Sequence, residues 1–181
     1  MQVSPNEARD ALEVVAATEE RTRRVRTYQV SSPHMILWGV IWLVGYTITG
    51  LAPVMWINIS WFVLVVLGIL GGAALPSRTV GPSRLNRTAS WIAVLVFYFS
   101  VMVVMQPTHL TQFAVFPALC GALLWAVMGV MRGPAYLWLS TAMFALSMGG
   151  YLLLPAAVFP FWLAVCGGGT LISSGIWLGR K

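Results

Sequence analysis

After Glu20 this sequence never uses Asp or Glu again. Arginine, by contrast, recurs to Arg180, always outside the long apolar runs. An ionised carboxylate near the centre of a bilayer costs at least ~2.5–3.5 kcal/mol, and this pattern is what a chain folding in hydrocarbon shows. Composition agrees. Of 181 residues, 59% are apolar and 9% charged, against about 25% charged in an ordinary soluble domain. A soluble fold of this size has no room to hide so much apolar surface. In lipid the backbone must satisfy its own hydrogen bonds, which leaves helices or a closed barrel.

Run length selects helices. A hydrocarbon layer of ~30 Å takes about 20 apolar residues in helical form. Six runs meet that measure: 34–50, 54–75, 90–106, 108–131, 134–154 and 156–178. The punctuation between them is consistent. "SSPH" offers Ser32 as an N-cap and Pro33 as a first helical residue, and "RGPA" repeats the device with Gly133 and Pro134. "LAP", "QPT" and "LP" part spans one from two, three from four and five from six. Connections this short make neighbours antiparallel. The expected fold is all-α and polytopic, with six transmembrane helices arranged as three consecutive antiparallel hairpins. "AVFP" at 114–117 and 157–160, each followed by "CG", suggests an internal repeat of hairpins.

With six spans, the N-terminus, the 76–89 loop, the turn at 132–133 and the C-terminus share one side of the membrane. All eleven Lys and Arg residues fall there, and the opposite loops carry no charge. The positive-inside bias then places both termini in the cytoplasm and the protein in the cytoplasmic membrane. Trp38, Trp91, Trp138 and Trp177 fall near the inner ends of the spans, Trp56 and Trp162 near the outer ends, as interfacial belts do. Trp42, Trp61 and Trp125 lie deeper and are expected to pack between helices.

The acids belong to one segment. "SPNEARDALEVVAATEERTRRVRTY" reads as a cytosolic amphipathic helix from Pro5 to Tyr28, capped by Ser4 with Glu7 completing a capping box. Acids come early and arginines late, which complements the helix dipole. Glu19–Arg23 and Glu20–Arg24 are spaced as i, i+4 pairs. This divides the chain into an N-terminal helix, 1–30, and a transmembrane domain, 31–181. Arg21, Arg23, Arg24 and Arg26 would meet the anionic inner leaflet. A net charge of +6 alone does not indicate nucleic acid, because the cations form no folded basic face.

Catalytic chemistry is hard to place. Beyond Arg26 there is no carboxylate. His34 and His109 begin spans at opposite faces, about 30 Å apart, and share no metal or substrate. Cys120 and Cys166 lie within apolar runs at no metal-like spacing. No cofactor is expected. Ion-coupled transport is disfavoured because no span holds an ionisable acid or base in its interior. One polar constellation stands out: Tyr46, Asn58, Gln106, His109, Gln112 and Tyr151 all fall within two turns of the outer surface. They form a candidate outward pocket for a neutral ligand or lipid headgroup. The ordinary alternative is interfacial polarity and helix-to-helix hydrogen bonding. Gly68/Gly72 and Gly175/Gly179 are GxxxG pairs, suited to close helix packing inside the bundle or to a homo-oligomer.

In length, cytoplasmic termini and glycine-rich even-numbered spans, the plan resembles small bacterial six-span proteins of the acid-resistance HdeD type. The likeness covers the spans and not the N-terminal helix. The reading that follows from the residues is a non-catalytic membrane component, accessory or regulatory, with a cytosolic docking helix. The competing reading is a small permease or channel for an uncharged or lipophilic solute.

Overall fold

The computed structural model of the chain describes residues 5–75, 96–98, 100–106 and 108–180. Among the described residues there is no strand. Helix α1 runs from Pro5 to Leu51 and α2 from Val54 to Ala74. A short apolar helix, α3, covers Val96–Met105; residues 90–95 of the expected third span lie outside the described residues. Helices α4 (Leu110–Arg132) and α5 (Pro134–Leu153) follow. Helix α6 runs from Phe159 to Gly179 through one π-turn at Ala164–Gly168. Among the described residues five helices are long and apolar enough to cross a membrane, which marks an integral membrane protein.

One sequence expectation is corrected here. Ser32 and Pro33 do not start a helix; Pro33 lies inside α1, which is unbroken from the N-terminal segment into the first span. A proline in a helix interior removes one backbone donor and crowds the carbonyl four residues back. In membrane helices neighbouring elements take over the freed groups. Here the flanking serines are engaged by other helices. The Ser32 hydroxyl donates to the Gly175 carbonyl at 2.7 Å, and the Tyr136 hydroxyl donates to Ser31 Oγ at 2.9 Å.

The expected turn at "RGPA" is present. Gly133 has φ 139°, open to glycine and strained for other residues, and Pro134 opens α5. The two "AVFP" segments sit differently. The first lies inside α4, whereas the second straddles the start of α6, with Phe159 its first helical residue.

Glycine sets the packing. Helices α1 and α6 touch backbone to backbone: a Cβ added at Gly39 would lie 2.8 Å from the Gly168 carbonyl oxygen. Farther along, Gly175 faces Ile36 and Ser32, and Gly179 faces Ser32. Helix α2 lays Gly68 against Ile41 and Trp38, and Gly71 against Leu37. Both GxxxG pairs are therefore used within one chain, against α1. Helices α4 and α5 form a tight hairpin, with Leu137 against Gly129 and Ser140 Oγ donating to the Ala122 carbonyl at 2.7 Å.

Two buried clusters result. One gathers Tyr28, Met35, Tyr136, Met143 and Leu171 toward the N-terminal side of α1. The other gathers Tyr46, Ala118, Phe159 and Leu163 toward its far end. Trp42 packs against both, its ring between Gly121 of α4 and Gly167 of α6. Trp61 and Trp125 also pack against the clusters, as their depth in the sequence implied. The outside of the bundle is apolar: Phe62, Val104, Val130 and Leu153 are all exposed. That inversion is expected where the surrounding solvent is lipid.

Candidate functional site

The six outer polar residues are accounted for one by one. Tyr46 is 1% exposed, and its hydroxyl donates to the Ala114 carbonyl at 2.8 Å. Its ring is held edge-on by Trp42 and Trp61, at centroid distances of 5.7 and 5.0 Å. The Trp61 indole N–H donates to Thr49 Oγ1, and Thr49 in turn donates to the Gly45 carbonyl. This chain of bonds ties α1 to α2 and α4.

His109 and Gln112 form a capping box at the start of α4. Gln112 Oε1 accepts the Thr108 N–H at 3.0 Å and the His109 N–H at 3.3 Å. Gln106 follows α3, exposed and in the left-handed region at φ 41°. Asn58 is exposed on α2. Tyr151 is half-buried, its ring edge-on to Phe159 at 5.9 Å. Among the described residues, His109 and Gln112 are the one pair of the six joined by a hydrogen bond.

The densest polar cluster lies at the other end of the bundle, where sequence reasoning saw a helix start. Tyr136 is fully buried there. Its ring stacks on Trp125 at 5.6 Å and meets Tyr28 edge-on at 5.4 Å. Its hydroxyl reaches Ser31, and Ser32 reaches Gly175. One turn farther, His34 Nε2 lies 3.2 Å from the Gly72 carbonyl oxygen of α2, and Nδ1 lies 3.3 Å from that of Val30. Residues 28–34 of α1 therefore hold α2, α5 and α6 at once. The overlooked signal was the pair of serines beside a proline in an apolar run. Small hydroxyl residues at such places serve helix crossings as readily as caps.

The N-terminal part of α1 extends past this cluster. Every side chain from Ala11 to Glu19 is exposed, including the apolar Leu12, Val14 and Val15. Arg9 and Glu13 pair across one turn at 3.3 Å, both largely exposed; at such exposure the pair contributes little to stability. The side chains of Glu20, Arg23 and Arg24, which the i, i+4 spacing pairs with their neighbours, lie outside the described residues.

Among the described residues no group of three His, Cys, Asp or Glu side chains converges as metal ligands do. Cys120 and Cys166 are free thiols, both partly buried. Trp138 is exposed near the start of α5, Trp177 near the end of α6 and Trp56 near the start of α2. Trp38 instead packs against the cluster of Tyr28 and Tyr136, and Trp162 donates its indole N–H to the Leu146 carbonyl at 2.8 Å. Trp91 lies outside the described residues. Self-association through Gly68/Gly72 or Gly175/Gly179 would have a second copy compete with α1 for the same faces.

Compared with protein families, curated proteins and solved structures, the chain matches none, so the resemblance of plan to six-span acid-resistance proteins gains no support from sequence or fold comparison.

Proposed function

We propose that this chain is a non-catalytic component of the cytoplasmic membrane, crossing it six times as three hairpins, with both termini in the cytoplasm. Its role is accessory or regulatory, and the N-terminal part of α1 is the docking element for a cytosolic partner. The observation that supports this reading is the unbroken course of α1. Its arm carries Leu12, Val14 and Val15, all three exposed, and the same helix is clasped at Ser31 and Ser32 by α5 and α6. A partner that binds the arm pulls on an element rooted in the core of the bundle. The absence of acids beyond Glu20 supports a role without acid–base chemistry in the spans.

A permease or channel for an uncharged or lipophilic solute is the competing reading. It would draw on the polar residues expected near the outer surface, Tyr46, Asn58, Gln106, His109, Gln112 and Tyr151. Deleting residues 1–26 separates the two. A docking component loses the protein that copurifies with it, and cells then resemble the full deletion. A permease keeps its flux. The substitutions Leu12→Glu and Val15→Glu should abolish copurification without lowering the thermal stability of the bundle. Retained copurification in that double variant would refute the docking assignment.

A further inference from the structure

The arm of α1 presents one defined face. With Leu12 set at 0° around the helix axis, Ala16 falls at about 40°, Val15 at about 300° and Glu19 at about 340°. Counted from Leu12, these are positions i, i+3, i+4 and i+7. They make one stripe two turns long, and all four side chains are exposed. Val14 lies at about 200°, on the far side. Anchors at this spacing are how an amphipathic helix seats in an apolar groove. Here the fourth anchor is a carboxylate. Glu19 is in line with Leu12 and Val15, whereas Glu13, paired with Arg9, falls to one side at about 100°.

Charge decides what covers the stripe. All five acids of the chain, and only one of its eleven cations, fall in residues 7–20. A helix that lies on an anionic bilayer carries Lys and Arg on its polar face instead, so headgroups repel this stretch. A second copy fits no better. Two copies inserted alike send their arms out in parallel, which sets Glu19 beside Glu19, and like charges across an interface are strongly disfavoured. A surface that takes Leu12 and Val15 is therefore a different protein, and it must answer Glu19 with a cation.

Resting on the reading of the arm as a docking element, we propose that it seats in an apolar groove of a cytosolic protein, with Leu12, Val15 and Ala16 filling the groove and Glu19 pairing with an arginine or lysine at its membrane-side end. Arginine suits that place because its guanidinium holds a carboxylate through two parallel hydrogen bonds. The groove also has a set distance from the bundle. Helix α1 is unbroken from Pro5 to Leu51, and its apolar segment begins at Val25. Along the axis Glu19 is about 9 Å from Val25 and Leu12 about 20 Å.

Photo-cross-linking of the full chain in cells tests this, with p-benzoylphenylalanine incorporated in place of Ala16 and the cross-linked peptide sequenced. The expected adduct is to a single soluble protein, at an apolar peptide that carries or adjoins an Arg or Lys. The same label in place of Ala17, at about 140° around the axis, should give far less of it. E19R should cut the Ala16 adduct on the order of tenfold, and changing the partner's cation to Glu should restore it in the E19R chain. An adduct that survives E19R but is lost in L12E/V15E, or that the charge swap does not restore, overturns the cationic groove and leaves docking standing. Equal yields from the two label positions overturn the stripe. An adduct to phospholipid, to a second copy or within the chain itself overturns the protein groove. No protein adduct from either position removes the docking reading, and the groove with it.

Discussion

At Gly39 and Gly168 two helices meet with no side chain between them. A Cβ at Gly39 would lie 2.8 Å from one backbone atom of α6 and 2.9 Å from another. Backbone atoms have no rotamer to yield, so the helices must separate. Gly39→Ala should therefore cost about 1–3 kcal/mol, the usual range for overpacking. Gly149→Ala and Gly169→Ala, with open space beside them, should stay within about 0.5 kcal/mol of wild type. Thermal unfolding in detergent measures all three, and a Gly39→Ala variant as stable as Gly169→Ala would contradict the contact. The glycine pairs at 68/72 and 175/179 were legible as close-packing sites from spacing alone. Gly39 was not, because it has no small residue four positions away and its partner lies far along the chain. The outer polar residues show the same limit. Depth could be estimated for Tyr46, Asn58 and Tyr151, but which of them turn inward depends on helix rotation, which no local pattern sets. Tyr46 turned inward and spent its hydroxyl on Ala114.

Among the elements, α1 departs most from its local signals. Ser–Pro after a polar segment is good N-cap chemistry, and in isolation residues 32 and 33 would start a helix. What decides otherwise is tertiary: Ser31 and Ser32 are engaged by Tyr136 and Gly175, far along the chain, and the helix passes through. Spin labels at Ala16 and Val40, both exposed, report the outcome. An unbroken helix places the two backbone positions near 36 Å apart, at about 1.5 Å per residue. An arm turned at right angles at residue 32 would bring them to roughly 27 Å. The longer distance is expected, and Pro33→Ala should leave it unchanged. A distribution centred on the shorter value would restore the helix break and uncouple the N-terminal arm from the bundle. The remaining helices needed less from tertiary context. Their lengths, the Gly133–Pro134 turn and the breaks at Pro53 and Pro155 follow from hydropathy and from proline's missing donor.

For the molecule as a whole, the question is which side of the membrane each connection occupies, and it turns on the third apolar run. If only α1, α2, α4, α5 and α6 cross, the chain changes sides five times. Arg132, Arg180 and Lys181 would then lie opposite the N-terminal arginines, and the positive-inside bias would be broken at three residues. If residues 90–106 cross as well, all eleven cations share one side. The ring contact between Tyr98 and Phe116, at 5.6 Å, sets α3 against α4, as a short hairpin would. The two arrangements differ most at Thr108, which is exposed. With Cys120 and Cys166 replaced by alanine, a membrane-impermeant maleimide applied to intact cells should tag Thr108→Cys. It should reach Ser83→Cys, or a cysteine appended after Lys181, only once the membrane is permeabilised. Five crossings would give the opposite result at Thr108 and at the C-terminus while leaving Ser83 protected. That pattern would separate the cations and remove the electrostatic basis for placing both termini in the cytoplasm. It would leave the reason for the missing carboxylates, the cost of charge in hydrocarbon, untouched.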